Sequence, residues 1–176
     1  MVEIIVVLAV LGLLMSMAAP MLAAGKWRAD AGVHEVLSGL NAAQRLAVLR
    51  QHDIVVTFLF GERALAVHRD EDNDGLADPG EDVRLVQLPE SVGFGFGSAP
   101  AMAGDTIGVT FRDPGPGPRL VFHRNGSASE AGRIYIRPVE GSLSAEASAV
   151  RAVAVERSTG MVQCFSYSTS SWRASC

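Results

Sequence analysis

The acidic residues of this chain are concentrated between Asp70 and Glu81, where carboxylates recur at alternate positions. We call residues 70–81 the acidic loop. It fits the D-x-[DN]-x-[DN]-G-x5-E pattern of a calcium-binding loop at every specified position. Calcium prefers several oxygen ligands, which carboxylates and one backbone carbonyl supply at this spacing. The predicted ligands are Asp70, Asp72, Asp74, the Leu76 carbonyl, Asp78 directly or through water, and Glu81.

The sequence on either side of the acidic loop is typical of strands, whereas an EF-hand calcium loop lies between two helices. A solvated acidic hairpin that binds no metal is therefore the alternative interpretation. The two interpretations differ in one measurable respect, because calcium binding to the folded state raises the midpoint of thermal unfolding.

The two cysteines, Cys164 and Cys176, lie close together near the C-terminus. In an exported protein this proximity predicts one disulfide that closes a short terminal loop. By the chain-entropy model, such a loop contributes roughly 3 kcal/mol to stability. Two free thiols are the alternative.

Catalytic chemistry has little support in the sequence. The four histidines are scattered without metal-ligand spacing, and the serines near the C-terminus lack a nucleophile-elbow motif. We therefore predict that the protein is not an enzyme.

The formal net charge is -4, so the chain lacks the basic excess that is typical of nucleic-acid-binding domains.

The N-terminal residues form an apolar segment, since no charged residue occurs from Ile4 to Gly25. A helix needs roughly 20 apolar residues to cross a bilayer, so residues 1–25 are predicted to form a transmembrane helix. A secretory signal peptide is the alternative. Such peptides begin with basic residues, however, whereas this chain begins with Met1, Val2 and the acid Glu3.

Glu3 stands at the head of this apolar segment, where a carboxylate is costly in lipid without a partner of opposite charge. In a filament of packed helices, the N-terminal amine of a neighbouring subunit supplies such a charge. Under this hypothesis Glu3 fixes the axial register between subunits.

An amphipathic pattern continues over residues 26–52, and we expect the helix to extend to about His52. Pro20 removes a backbone donor, so a kink or local loosening of the helix is expected there. The apolar positions recur at helical spacing and should pack on the rest of the protein. They are Val33, Val36, Leu37, Leu40, Ala43 and Ala47.

After His52 the sequence changes to short β-rich runs separated by glycine, proline and aspartate. We predict an α+β fold, in which a long N-terminal helix with a membrane-spanning first half packs against an antiparallel β-sheet domain of residues 53–176. Glycines near Phe94 and Phe96 suit a strand that packs closely on the helix. The other predicted strands cover residues 54–60, 83–88, 107–111, 120–122, 134–136 and 152–155.

The N-terminal motif resembles that of type IV pilins. Residues 2–14 are similar to the leader-processing motif and the start of the helix in that family, and Pro20 falls where many pilins carry a kinking proline. The resemblance implies a subunit that is processed by prepilin peptidase, held in the bacterial inner membrane with a periplasmic domain, and then packed into a filament. Met1 stands where the family carries the end of a basic leader, so we expect an internal start or a trimmed chain.

The order of the β-rich runs is similar to that of the minor pseudopilin H and FimT-like minor pilin family. The similarity is carried by the acidic loop, by residues 120–126 and by residues 153–162. It implies a structural minor pilin or pseudopilin that assembles with other minor and major subunits and helps prime a type IV pilus or a type II secretion pseudopilus. An unrelated membrane-anchored periplasmic domain is the remaining alternative.

DNA capture at the filament tip is a second function that this resemblance offers. Some FimT-like proteins are thought to bind DNA through a Gly-Arg-x-Arg element, but the corresponding turn here, residues 160–163, lacks both arginines. Arg133 and Arg137 form an alternative basic strand, although such a pair is more often a solvated face. We therefore expect DNA binding to be absent.

Overall fold

The computed structural model describes residues 2–72, 74–75, 79–102, 104–112, 117–139 and 146–175. Within these residues, one long helix, α1, precedes nine strands and a short 3-10 helix. Their bounds are α1 Val2–Arg50, β1 Asp53–Leu59, β2 Ala64–Asp70, β3 Val83–Gln87, β4 Val92–Phe94, β5 Arg119–Phe122, β6 Gly132–Pro138, the 3-10 helix Ala147–Ala149, β7 Arg151–Val155, β8 Val162–Ser168 and β9 Ser171–Arg173.

Helix α1 contains 49 residues, which corresponds to a length of about 74 Å. Its backbone is helical throughout, including at Pro20, and it ends just before the predicted boundary because Gln51 adopts a left-handed conformation with φ of 59°. No helix in the described part of the chain combines the length and hydropathy that a membrane span requires.

The second half of α1 packs on the β domain through the predicted stripe. Val33, Val36, Leu40 and Ala47 are fully buried, and Leu37 is partly buried against the same core. The stripe is therefore confirmed. By contrast, the apolar side chains over residues 4–11 are exposed, so the β domain covers only the later turns of the helix.

The strands form two antiparallel sheets. Sheet A has the order β3-β2-β1-β5, and sheet B has the order β4-β6-β7-β8-β9. In sheet A the register places Asp53 opposite Asp70 and Ile54 opposite Phe122. Alternate residues of each strand point to opposite faces, and one face of each sheet joins α1 in a common core.

Aromatic rings fill the centre of this core. The Phe58 ring of sheet A stacks on Phe111 at a centroid distance of 5.4 Å and meets the edge of Phe94 at 6.0 Å. Such pairs contribute about 0.5–1.5 kcal/mol each beyond the area that they bury. Phe94 belongs to β4, so these contacts join the two sheets.

Strand β4 lies close to the helix, as the glycine pattern near Phe94 predicted. A Cβ atom added at Gly32 of α1 would lie 2.6 Å from a methyl carbon of Val92 in β4. The missing side chain at Gly32 therefore allows β4 to reach the helix backbone.

Five of the other predicted runs fall on β1, β3, β5, β6 and β7, but the strand predicted at 107–111 is wrong. Only a single bridge, from Val109 to Ile134, pairs this segment with sheet B. The Thr110 N–H donates a hydrogen bond to the Arg133 carbonyl at 2.9 Å, and the Gly108 carbonyl accepts one from the Tyr135 N–H at 2.7 Å. The segment therefore lies beside β6 at one position without forming a ladder. Strand β2 lies where the sequence before the acidic loop was typical of a strand, although its bounds were not predicted, and the sequence analysis missed the β8–β9 hairpin.

Candidate functional site

The acidic loop joins β2 to β3 and is organised by Asp70, whose side chain is buried at the end of β2. One Asp70 carboxylate oxygen accepts a hydrogen bond from the Asp74 backbone N–H at 3.1 Å, and the other accepts from the Gly75 N–H at 2.9 Å. Gly75 has a φ of +77°, a conformation that favours glycine. The Asp70 carboxylate therefore fixes the sharp turn of the loop.

Three of the predicted calcium ligands lie together in this turn. One carboxylate oxygen from each of Asp70, Asp72 and Asp74 lies within 4.8 Å of the other two. Calcium holds its oxygen ligands at about 2.3–2.6 Å, so oxygens on opposite sides of the ion are about 5 Å apart. The spacing of the three carboxylates is thus compatible with a shared cation.

The predicted closing ligand, Glu81, is directed elsewhere in this conformation. One Glu81 oxygen accepts a hydrogen bond from the Glu71 backbone N–H at 2.7 Å, and the other lies 3.7 Å from the His68 Nε2 atom. The side chains of Glu81 and His68 are 8% and 7% exposed, so this contact is buried at the base of the loop. The other two predicted ligands, Leu76 and Asp78, lie outside the described residues.

The acidic loop crosses the face of sheet A that points away from the core. Arg119 of β5 donates a hydrogen bond through Nη1 to the Gly75 carbonyl at 2.6 Å. Since the strand order is β2-β1-β5, this contact between the loop and Arg119 spans the outer face of β1. This position agrees with Val55, whose side chain lies on the outer face of β1 and is nevertheless only 1% exposed.

Two polar contacts hold the second half of α1 to the β domain. The Arg151 guanidinium, on β7, pairs through Nε with an Asp30 oxygen at 2.7 Å. Nearer the C-terminus of the helix, Gln44 donates hydrogen bonds to the carbonyls of Gly126 at 3.0 Å and Thr159 at 2.7 Å. The sequence analysis missed both contacts, because partners so distant in sequence leave no local pattern.

The two arginines considered for DNA binding lie on β6. The Arg133 Nη1 atom lies 3.1 Å from each carboxylate oxygen of Asp105, which also accepts a 2.6 Å hydrogen bond from the Tyr135 hydroxyl. Burial and then this hydrogen bond raise the pKa of Tyr135 above its usual range, so the hydroxyl remains a donor. Arg137 lies beside Gly95. The Arg133 charge is thus already paired within the domain.

The remaining predicted site residues lie apart from the acidic loop. Glu3 is exposed in the first turn of α1, and Pro20 lies within the same helix. Cys164 on β8 packs against the core and is not a free thiol. Its predicted partner, Cys176, lies outside the described residues, so the pairing stays a prediction.

Comparison with known proteins decides the family. A family model described as type II transport protein GspH matches residues 32–160, which is most of the chain. The chain belongs to the GspH family. It is a minor pseudopilin subunit of the type II secretion system, one of the two assemblies that the sequence resemblance implied. As the sequence analysis predicted, it is a structural subunit rather than an enzyme. The match begins within α1, so it does not include Glu3 or Pro20.

The fold of this pseudopilin is similar to that of a solved structure. A crystal structure of the minor pseudopilin EpsH from the type II secretion system of Vibrio cholerae is 16% identical, with a TM-score of 0.50, and covers 81% of this chain and 97% of its own. A second structure of EpsH from the same organism is 16% identical, with a TM-score of 0.49, and covers 77% and 96%. No curated protein sequence matches the chain.

Proposed function

We propose that this pseudopilin enters a secretion pseudopilus through the first half of α1, while its β domain contacts other pseudopilins and helps prime assembly. The observation that carries this proposal is the exposed apolar surface of the helix. Ile4, Ile5 and Leu8 are 64%, 67% and 63% exposed, respectively. Apolar surface of this extent is stable in water only when a partner covers it. Packing against the helices of neighbouring subunits covers it in a filament.

Before assembly, the same surface is proposed to be held in the inner membrane, with the β domain in the periplasm. The absence of charge from Ile4 to Gly25 supports this anchor. Prepilin peptidase is the proposed processing enzyme, because residues 2–14 resemble its recognition motif. In an oxidising periplasm, the predicted bond between Cys164 and Cys176 would then be stable.

Substituting Glu3 with alanine tests the assembly proposal. The carboxylate is expected to pair with the N-terminal amine of a neighbouring subunit, and its loss should remove that pairing in a low-dielectric filament core. Because Glu3 is exposed and far from the β domain, the fold should be unchanged. We expect incorporation to fall at least about tenfold, equivalent to about 1.4 kcal/mol. Sedimentation of sheared filaments followed by immunoblotting measures it.

The matched control is Glu62→Ala, which removes one exposed acid from a turn of the β domain. It should be incorporated as well as the unaltered chain. If Glu3→Ala is incorporated to the same extent as this control, the proposed pairing is wrong.

Calcium binding by the acidic loop is a second proposal, and the convergence of Asp70, Asp72 and Asp74 supports it. The buried contact between Glu81 and His68 has a consequence for this site. For Glu81 to complete the ligand shell, its side chain must leave His68 and turn toward the three aspartates. Calcium binding would then be coupled to rearrangement at the base of the loop.

Calcium should raise the thermal midpoint of unfolding by about 5–10 °C when its concentration is 100 times the dissociation constant. Magnesium should do much less, since it demands smaller, octahedral sites. Asp72→Ala should greatly reduce the calcium effect, because it removes a side-chain oxygen ligand, with little change in the metal-free midpoint, because Asp72 is exposed. Differential scanning calorimetry measures all three. An unchanged midpoint at millimolar calcium would contradict the proposal.

A further inference from the structure

The two edges of sheet A differ in how they are covered. On the β5 edge, the Ser129 N–H donates a hydrogen bond to the Val121 carbonyl at 2.8 Å, and Ala128 forms a bridge with Phe122. The other edge is β3. In the described part of the chain, β3 pairs with β2 alone. Within the described ranges, the second side of β3 has no strand paired to it.

The hydrogen-bond pattern shows which β3 residues face that free side. The Arg69 N–H bonds to the Asp82 carbonyl at 3.1 Å, and the Leu88 N–H bonds to the Arg63 carbonyl at 2.9 Å. Hydrogen-bonded and non-hydrogen-bonded pairs alternate along an antiparallel ladder. The intervening bonded positions of β3 are therefore 84 and 86, which direct their backbone groups toward β2.

It follows that Val83, Leu85 and Gln87 direct their backbone N–H and C=O groups away from the sheet. Equivalent groups along such a strand are about 6.8 Å apart. An extended strand matches that spacing with its own free N–H and C=O groups, whereas a helix uses its backbone groups internally. The occupant that fits this edge is thus a β-strand.

The side chains of β3 add specificity to the backbone pattern. Val83 and Leu85 share the outer face and are 50% and 51% exposed. Exposed edge strands are usually protected by several charges, proline or a bulge, but β3 carries one charge, on Arg84. Among the described residues, the Arg84 guanidinium forms no ion pair or hydrogen bond.

A groove lies beside this edge, between β3 and α1. It has a volume of about 330 Å³, and its wall includes Gly39, Ala42 and Leu46 from the helix and Val86 from β3. Strand pairing over five residues alone buries less than the 1,200–2,000 Å² typical of a stable interface. A partner that adds a strand and also covers this groove would gain the remaining area.

We propose that β3 accepts an extended strand from a neighbouring pseudopilin, so that sheet A continues across the subunit boundary. The incoming strand carries apolar residues against Val83 and Leu85 and a carboxylate near Arg84. The inference rests on the proposed function, because it takes the partner to be another filament subunit. It goes further in naming the edge, the residues and the backbone bonds.

Amide hydrogen exchange tests this pairing residue by residue. In the isolated full-length chain, the outward amides of Val83, Leu85 and Gln87 should exchange at least about 100-fold faster than the inward amides of Arg84 and Val86. In assembled filaments, the outward amides should become protected to the level of the inward ones. Exchange within filaments, followed by quenching, dissolution and NMR of the labelled chain, measures both sets.

The inward amides serve as an internal control, since they are bonded to β2 in both states. If the outward amides still exchange fast in filaments that contain the chain, strand addition at β3 is wrong, but the proposed function is unaffected. Outward amides that are already slow in the isolated chain would overturn it too, because the edge would then be covered from within. A chain that fails to enter filaments would overturn the proposed function and this inference together.

A charged residue on the edge provides a second test. Leu85→Lys should lower incorporation by at least about tenfold, because a lysine on an edge strand discourages pairing. Ile107→Lys is the matched control, since Ile107 is 50% exposed, much like Leu85, but lies in the segment that contacts sheet B at Val109. Equal incorporation of the two variants would contradict the proposal, provided that the fold of each is verified by circular dichroism.

Discussion

Replacing Gly160 with alanine is expected to destabilise the pseudopilin by about 2–4 kcal/mol. Gly160 has a φ of +63°, which strains any other residue. The new Cβ would lie 2.3 Å from the Gly126 carbonyl oxygen and 2.6 Å from the Gln44 Nε2 atom. The Gly126 carbonyl belongs to the backbone, so the turn must move, and the Gln44 side chain must shift as well. Movement breaks the hydrogen bonds from Gln44 to Gly126 and Thr159, which contribute about 1 kcal/mol each.

The control for this prediction is Gly104→Ala. Gly104 also has a positive φ, of +78°, but a Cβ atom there would have no neighbour within 4 Å. The control should therefore lose only the conformational strain, about 1 kcal/mol. Equilibrium denaturation in urea gives both free energies of unfolding. A loss at Gly160 no larger than the loss at Gly104 would show that the close approach of Gln44 contributes nothing.

The second large effect is expected from Asp30→Ala, which should destabilise the protein by about 3 kcal/mol. Asp30 is the acidic partner of Arg151, whose side chain is only 8% exposed. Removing the carboxylate leaves the guanidinium charge buried, with hydrogen bonds to the Ser148 and Val150 carbonyls but no opposite charge. A buried charge without its counter-ion costs more than the pair contributes.

The reverse substitution, Arg151→Met, should cost less than Asp30→Ala. The Asp30 side chain is 36% exposed, so water can solvate its carboxylate once the arginine is gone, and methionine fills much of the arginine volume. The double variant should be more stable than Asp30→Ala alone, because it removes the orphaned charge. Urea denaturation of the three variants completes a double-mutant cycle. If Arg151→Met were the more damaging single change, this account of the pair would be incorrect.

The sequence predicted the helix and most of the core because these follow from local periodicity. The helical spacing of Val33, Val36 and Leu40 predicts one buried face of α1, but it does not show which element covers that face. The bounds of strand β2 could not be predicted, for the opposite reason. His68 and Asp70 are polar, yet both are buried on the outer face of sheet A, below a loop that the strand itself leads into. Tertiary contacts override local polarity there.

The same limit applies to the candidate sites. The spacing of Asp70, Asp72 and Asp74 is enough to predict that their carboxylates meet, because a turn brings alternate residues together. The orientation of Glu81 depends on His68 in the preceding strand, which the calcium pattern does not specify. The wrong strand at 107–111 has a similar origin, since its composition favours β structure but Val109 meets β6 only once.

Because the second half of α1 packs closely on the β domain, the length of the helix determines how the domain is oriented. Asp30 pairs with Arg151 of β7, and Gly32 allows close contact with Val92 of β4. Gln44 bonds to the carbonyls of Gly126 and Thr159, so these turns of α1 are fixed to the domain at several points. An α-helix turns about 100° and rises about 1.5 Å per residue. The number of residues between Glu3 and Asp30 therefore sets the angle, measured about the helix axis, between Glu3 and the β domain. Lengthening the helix there by one residue would turn the whole domain by about a quarter of a circle.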